Sequence, residues 1–277
     1  MQTISEIRRL LDERGLRPRK ALGQNFLHDQ NQIRRLLEAA ALEPGDLVLE
    51  VGPGTGTLTE ALLDRGCRVI AAELDAELAG LLTERLGDRI TLIEGDAMGR
   101  RRTLAPAIVA ALDGEPFRLV ANLPYQIATP LMVTLALDHP TCRGQYVTIQ
   151  REVADRLEAV PGTKAWGVAG ILVRLAAVVR RIGTLPPSCF WPMPQVTSAM
   201  VAIEPRPEEA WLVSRSETAV FASWVSGVFS RRRKQLGSIL GREIAWPDGV
   251  EPAHRPETLS LEQLVELWRR LGHPDAP

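Results

Sequence analysis

The stretch Leu47-Val48-Leu49-Glu50-Val51-Gly52-Pro53-Gly54-Thr55-Gly56-Thr57-Leu58-Thr59 leaves this chain few folds to choose from. A short apolar run holding one carboxylate passes through glycines at positions 52, 54 and 56 into the helical pattern Leu58 to Leu63. That order predicts a strand, a tight turn and a helix start, the first half of a βαβ unit and so an α/β fold. Glycines in such a turn let backbone amides approach a ligand closely at a helix N-terminus, where the dipole is positive.

Several nucleotide folds use this device, and the residues around it discriminate among them. The dinucleotide fingerprint G-x-G-x-x-G would place its third glycine at position 57, which is Thr57. A phosphate loop would end in Gly-Lys-Ser/Thr, and no lysine is present here. Glu50 precedes the turn, Glu73 closes the run Arg68-Val69-Ile70-Ala71-Ala72-Glu73, and Asp96 follows the run Ile90 to Glu94 and Gly95. Three carboxylates at successive strand ends repel a diphosphate and suit a ligand carrying hydroxyls, amines and a cation. S-adenosylmethionine has ribose hydroxyls, an exocyclic amine and a sulfonium, and no phosphate. The plainer reading is an α/β domain with incidental acids at its strand ends.

Composition narrows the setting. With 277 residues, 45% hydrophobic and 24% charged, the chain is ordinary for a globular protein of one sizeable domain and a smaller second one. No apolar run reaches membrane-spanning length and no signal-peptide core opens the chain, so a cytoplasmic protein without membrane attachment is expected. The three cysteines, Cys67, Cys142 and Cys189, lie far apart without C-x-x-C spacing, so neither a disulfide framework nor a metal site is expected. A formal net charge of −1 means that any nucleic-acid binding must use local patches.

In chain order, Ile4 to Leu16 has helical spacing, and Arg8, Arg9, Arg14, Arg17, Arg19 and Lys20 make the region locally basic. Leu22 to Asp29 reads as a turn ahead of a helix starting near Gln30, with Gln24 and Asn25 as caps or ligand contacts and His28 as structural. Strand, helix, strand, helix, strand follow between Glu50 and Asp96, with Asp75 to Leu86 an amphipathic helix. Pro106 to Gly114 is a helical segment rich in alanine. A fourth strand, Phe117 to Ala121, runs into Asn122-Leu123-Pro124-Tyr125.

That second motif carries chemistry. It sets an amide, a rigid turn and an aromatic ring beside the glycine turn, and proline fixes the local backbone direction. An exocyclic base amine is a poor nucleophile because its lone pair is delocalised. The Asn122 side-chain oxygen with the Leu123 or Pro124 carbonyl would bind its two hydrogens and draw the lone pair toward a methyl donor, while Tyr125 stacks on the base. The alternative is a polar strand end with a proline turn.

Further on, Gln145 to Gln150 reads as a fifth strand, Arg151 to Ala159 as a helix, Val178 to Leu185 as a sixth strand and Ala199 to Ile203 as another. Between the last two, Phe190-Trp191-Pro192-Met193-Pro194-Gln195-Val196-Thr197-Ser198 is an extended turn in which Phe190 is either a second stacking face or a buried anchor. Glu204 to Glu209 is a proline-rich break, drawn as a boundary between domains 1–206 and 207–277. Beyond it, Glu217 to Phe229 is helical, Leu236 to Leu240 is a turn, and Leu261 to Leu271 is a helix capped by Ser260. The run Arg231, Arg232, Arg233, Lys234 is either a solvated helix end or a phosphate clamp.

Taken together, the motifs resemble the ribosomal RNA small-subunit adenine dimethyltransferases, the dimethyladenosine transferase or kasugamycin-sensitivity family. The likeness is carried by Leu22-Gly23-Gln24-Asn25-Phe26-Leu27, Glu50 to Gly56, Glu73-Leu74-Asp75, Gly95-Asp96-Ala97 and Asn122-Leu123-Pro124-Tyr125. It continues through Gln150 to Ala154 with Arg156-Leu157, Phe190 to Ser198, Arg232-Arg233-Lys234 and Arg255 to Ser260. The resemblance implies a Rossmann-like class I methyltransferase: a seven-stranded, mostly parallel sheet with helices on both faces and a small all-helical C-terminal domain that binds RNA.

It implies S-adenosylmethionine as cofactor, with no metal. Asn25, Leu27 (through its backbone), Gly52 and Gly54 would hold the methionine side of the cofactor, Glu73 its ribose and Asp96 its adenine amine. Asn122 would lie between cofactor and target base, with Leu123 and Pro124 beside it and Tyr125 and Phe190 as the stacking pair. The implied reaction is N6,N6-dimethylation of two adjacent adenosines near the 3′ end of small-subunit ribosomal RNA, late in subunit biogenesis, by a monomer acting on a partly assembled subunit.

Three features depart from the family pattern: Gln126-Ile127-Ala128, Trp166-Gly167-Val168-Ala169-Gly170, and a long segment between Asp96 and Phe117. The competing readings are the related antibiotic-resistance methyltransferases of large-subunit RNA, a ribosome-assembly checkpoint, and an NAD-type oxidoreductase, against which Thr57 argues.

Overall fold

The computed structural model describes residues 1–100 and 103–273. Two compact units divide the chain, one built from Met1–Ala154 and Arg180–Glu204, the other from Asp155–Val179 and Pro205–Pro277. The break drawn from the sequence at Arg206 falls where the second unit's long segment begins. The structure adds residues 155–179 to that unit, a segment whose apolar helix carries no boundary signal.

The first unit opens with α1 (Ile4–Asp12), started by a capping box between Thr3 and Glu6. A two-residue strand β1 (Phe26–Leu27) leads to α2 (Gln30–Ala39), where Asp29 accepts the amides of Asn31 and Gln32. Then come β2 (Leu47–Val51), α3 (Thr57–Asp64), β3 (Arg68–Glu73), α4 (Ala76–Leu86), β4 (Thr91–Glu94), α5 (Pro106–Leu112), β5 (Phe117–Asn122) and α6 (Tyr125–Asp138). After these follow β6 (Cys142–Gln150), α7 (Arg151–Glu158), α8 (Val168–Ala176), β7 (Ala177–Leu185), β8 (Phe190–Trp191) and β9 (Ser198–Pro205).

Seven strands form one sheet in the order β4-β3-β2-β5-β6-β9-β7. β2 pairs in parallel with β3 and β5, β3 with β4 and β5 with β6, whereas β9 runs antiparallel to β6. The chain moves outward from β2 to β4, then returns to start again at β5. This reversal places the switch point between β2 and β5, where the carboxyl ends of neighbouring strands open a crevice. Every residue of β2 is buried, as a central parallel strand covered on both faces requires.

α6 and the β1–β8 pair escape the sequence reading. α6 is one of the longest helices, yet it holds Pro130 and is apolar around much of its circumference, so no 3.6-residue stripe marks it. β1 and β8 pair antiparallel, Phe26 opposite Trp191 and Leu27 opposite Phe190, and two-residue strands leave no periodicity to detect.

In the second unit, α9 (Thr218–Ser230), α10 (Leu236–Leu240) and α11 (Leu261–Arg270) join α8. Residues 236–240, expected as a turn, form the short helix α10, with Leu236 and Gly237 buried. Ser260 caps α11 in a capping box with Gln263. The unit's core is aromatic: Trp166, Trp224, Phe221 and Trp268 are fully buried, and Phe221 meets the edge of Trp268 with centroids 5.4 Å apart. The Trp166 indole donates to the Leu259 carbonyl at 3.0 Å, so this departure from the family pattern is a core anchor. No helix among the described residues is long and apolar enough to cross a membrane.

Trp166→Ala removes both the packing and the bond. It should destabilise the second unit by about 3–5 kcal/mol, measured by urea denaturation followed by circular dichroism; an unchanged transition would take Trp166 out of that core.

Candidate active site

At the switch point the glycine turn is hemmed in from two directions. Gly52 and Gly54 have φ of 74° and 62°, a region L side chains avoid. A Cβ on Gly52 would lie 3.0 Å from the Pro124 ring, and one on Gly54 would lie 2.8 Å from the Phe26 ring. Glycine is therefore required by contact as well as by conformation. These contacts hold the turn against β1 on one side and the Asn122–Tyr125 turn on the other.

The turn does not act as its glycines first suggest. The Gly52 amide donates to Ala72 O at 2.9 Å, Gly54 to Glu73 Oε2 at 3.0 Å and Gly56 to Pro53 O at 2.9 Å. All three glycine amides have protein acceptors, so the expected approach of these amides to a ligand is not what the turn provides. A phosphate cradle needs free amides. This turn is instead a close-packed wall.

That wall bounds a cavity of about 170 Å³. A single water needs roughly 10–15 Å³ by the same measure, so the space suits a ligand of many atoms. Every cofactor position expected from the sequence lines it: Asn25, Leu27, Gly52, Gly54, Glu73, Asp96 and Asn122. Leu123, Pro124 and Tyr125 line it too, as do Glu50 and Leu74. Three carboxylates line this space, and among the described residues no lysine, arginine or histidine does.

The carboxylates differ in their compensation. Glu73, at the end of β3 and 6% exposed, accepts the amides of Gly54 and Asp75, each at 3.0 Å. Burial raises its pKa, with those amides opposing the rise. Glu50, in β2 and 1% exposed, accepts the Thr59 hydroxyl at 2.7 Å. Its carboxyl is pushed up to about 8, chiefly by burial; the Thr59 bond opposes the rise and the neighbouring Glu73 charge adds to it. Asp96, beyond β4, is exposed and accepts the Met98 amide at 2.8 Å.

On the opposite wall, Asn122 ends β5 and donates its amide N–H to Asn25 O at 2.9 Å. That bond orients the side chain and leaves the amide oxygen as its acceptor. The Pro124 carbonyl accepts Ile127 N–H at 3.2 Å as α6 begins, which favours Leu123 of the two carbonyls left open by the sequence. The Tyr125 hydroxyl pairs with Ser198 Oγ at 3.2 Å, tethering the ring at the start of α6. Gln126, another departure from the family pattern, donates to Ala21 O at 3.1 Å.

Phe190 stands apart. It is buried in the core cluster with Leu27, Leu185 and Met200, lies opposite Leu27 in the β1–β8 pair, and is not among the residues lining the cavity. Its proposed stacking role has no support in this geometry, since the apolar ring is held by the core.

Sequence reasoning missed Gln2. Its side chain is 4% exposed, donates to Thr55 O at 2.9 Å and accepts the hydroxyls of Thr55 and Thr57 at 2.8 and 3.1 Å. It fastens the far side of the glycine turn, and a lone glutamine near a terminus gives no pattern to find. Gln24 was read as a cap or a ligand contact. It bridges the Arg19 amide, accepted at 2.7 Å, to Asp75, to which it donates at 2.9 Å.

In the second unit the basic run follows the end of α9, with Arg231 as its C-cap. Cations at this end of a helix oppose its negative dipole. Arg232 is engaged within the unit, donating to Lys164 O at 3.2 Å and lying 4.0 Å from a Glu257 carboxylate oxygen. Arg231, Arg233 and Lys234 are exposed. Among the described residues, no group of three or more His, Cys, Asp or Glu is placed to hold a metal ion.

Residues 15–269 match the family model described as ribosomal RNA adenine dimethylase. The chain is 40% identical over 288 residues to a Mycobacterium bovis protein named ribosomal RNA small subunit methyltransferase A, covering 98% of this chain and 88% of that protein. Its fold is similar to that of a dimethyladenosine transferase from Plasmodium falciparum, with a TM-score of 0.70 and 23% identity over 91% of this chain and all of the other. It is also similar to the 23S rRNA methyltransferase ErmE, with a TM-score of 0.63 and 26% identity over 90% of this chain and all of the other.

Glu50 makes stability depend on pH. Its folded pKa is raised from 4.5 to about 8, so its contribution is full below pH 4.5 and is lost as pH rises through about 8. Glu50→Gln keeps the Thr59 bond without the charge. It should be increasingly more stable than the parent as pH rises from about 5 to about 8 in urea titrations, the difference levelling off above that; a constant difference across this window would mean that Glu50 titrates normally.

Proposed function

The chain belongs to the ribosomal RNA adenine dimethylases, and on that premise we propose that the first unit's cleft holds S-adenosylmethionine beside a flipped adenosine. The enzyme dimethylates the N6 amines of two adjacent adenosines near the 3′ end of small-subunit ribosomal RNA. The observation that carries the site assignment is a lining unsuited to phosphate: three carboxylates and, among the described residues, no cation, with the Asn122–Tyr125 turn in its wall.

When bound, S-adenosylmethionine supplies an electrophilic methyl group on a sulfonium leaving group, so no strong general base is required. Asn25, the Leu27 backbone, Gly52 and Gly54 border its amino-acid end. Glu73, already fixed by two amides, offers acceptors to the ribose hydroxyls through charge-assisted bonds. Asp96 accepts from the adenine amine.

The target base stacks on Tyr125, whose hydroxyl Ser198 restrains. The Asn122 oxygen and the Leu123 carbonyl bind the two amine hydrogens, turning the lone pair toward the methyl group. Each transfer would form the N–C bond as the methyl–sulfur bond breaks, leaving a neutral thioether and a methylated ammonium that gives one proton to solvent; the amine then keeps a lone pair and one hydrogen, so one acceptor still holds it for the second. Phe190 serves as second stacking face only if the substrate uncovers its ring.

Whole-chain charge of −1 gives no general attraction to RNA. The substrate is accordingly a partly assembled small subunit that presents shape as well as phosphates, met in the cytoplasm by a single copy of the chain. Arg233 and Lys234 are the phosphate contacts of the basic run, with Arg231 and Arg232 supporting them.

Asn122→Ala should lower turnover on immature small subunits by about a hundredfold, while cofactor affinity measured by calorimetry falls far less. The product is read by mass spectrometry of RNase fragments. Dimethyladenosine at two adjacent positions is the expected outcome; monomethyladenosine alone, or label confined to large-subunit RNA, overturns the assignment.

Replacing both Arg233 and Lys234 with glutamine should weaken subunit binding and flatten its log–log salt dependence by about 0.7–0.9 per lost contact. An unchanged slope would return these residues to a solvated helix end.

A further inference from the structure

We infer that Glu50 makes the cleft discriminate by charge, favouring the methyl-bearing cofactor over its spent form. This rests on the cofactor assignment above. S-adenosylmethionine and S-adenosylhomocysteine share the adenosine and the amino-acid end, so residues that contact those groups bind both alike. The difference is the methyl group and the sulfonium charge: the first carries one net positive charge and the second none. Discrimination between them therefore needs a field at the sulfur, not another hydrogen bond.

The cavity is built to supply one. Asp96 is exposed, so solvent screens its charge. Glu73 is buried, but two backbone amides already offset part of its charge. Glu50 is more deeply buried, at 1% exposed, and lines the same cavity.

Of the elements around Glu50, β3 brings the like charge of Glu73, α3 brings the Thr59 hydroxyl, and β5 ends in the neutral Asn122. Among the described residues, no basic side chain lines the space. Among the described residues this carboxyl has no cation beside it, and a cationic ligand is the partner that fits.

Protonation then follows occupancy. In the empty cleft Glu50 holds its proton at neutral pH, because burial and Glu73 push its pKa up to about 8. A cation beside it favours the ionised form, so binding of the methyl-bearing cofactor expels a proton. With the neutral spent form the proton stays. By reciprocity, the carboxylate that prefers the cation binds the molecule of no net charge less well in comparison. Repeated transfers to two bases demand repeated cofactor exchange, and this charge preference serves it.

Calorimetry at pH 7 in two buffers of different ionisation enthalpy tests the inference on the wild-type chain and Glu50→Gln. The ligands are S-adenosylmethionine, S-adenosylhomocysteine and sinefungin, whose amine keeps a positive charge near the position of the sulfonium. Wild type should release a proton with the two cationic ligands and little with the neutral one. Its affinity for the cationic ligands should rise with pH up to about 8 and then level off.

In Glu50→Gln the release should vanish and the preference for S-adenosylmethionine over S-adenosylhomocysteine should fall about tenfold. Equal proton release with all three ligands, or a flat pH profile in wild type, overturns the inference without any variant. An unchanged preference in the folded variant does so as well. Failure of wild type to bind any of the three would instead overturn the cofactor assignment beneath it.

Discussion

The site depends on how closely three stretches of backbone approach one another at the glycine turn. Space for a Cβ is missing at Gly52, against Pro124, and at Gly54, against Phe26. Packing at this density leaves little room to relax, so the turn fixes its neighbours as much as they fix it. The Asn122–Tyr125 turn is held at β5 and α6 on one side. On the other, residues 1–28 are anchored on α4 through Phe26, Ile7, Leu11 and Leu78, with Gln24 bonded to Asp75. A cavity whose walls are locked by contact keeps its polar groups in place before any ligand arrives, and that preorganisation is what positioning catalysis requires.

Electrostatics explains why the same glycine-rich device serves a different ligand from that of its phosphate-binding counterparts. With the three glycine amides consumed by Ala72, Glu73 and Pro53, the positive potential expected of such a turn is spent inside the protein. The remaining field is set by carboxylates, and burial strengthens it by removing the water that would screen it. The cost appears in the raised pKa values of Glu50 and Glu73. Two carboxyl groups share one buried space and cannot both ionise there without cost, a cost that a cationic ligand relieves.

The second unit is held by different means. Its aromatic core, with Trp166 bonded to Leu259 and Phe221 packed on Trp268, makes a small helical scaffold rigid without metal or disulfide among the described residues. On this scaffold the basic run starts where α9 ends. One of its arginines is tied down by Lys164 and Glu257, so the run is not four equivalent charges. A fixed base carrying exposed cations loses less side-chain entropy on meeting a phosphate than a free tail would.

Much of this was legible in the sequence because it depends on local rules. Alternating runs and breakers located the strands β2 to β6, and Ser260 marked the start of α11 through its capping chemistry. Carboxylates at strand ends fall at one edge of a parallel sheet whatever the packing, so Glu50, Glu73 and Asp96 could be grouped without coordinates. Other features needed the tertiary structure. α6 hid because burial around its circumference erases the periodicity that reveals a helix, and β1 and β8 exist only as a pair distant in sequence.

Whether a glycine amide faces a ligand or a neighbouring carbonyl depends on what packs behind the turn. So does the placing of Phe190 in the core rather than on the cavity wall. Gln2 acquires its role only from Thr55 and Thr57, more than fifty residues away. The sequence by itself determined which groups are present and which strand ends carry them, since both follow from residue type and local periodicity. Only the folded chain decided which of those groups are satisfied and which are left to bind, because that is a matter of contacts between residues remote in the chain.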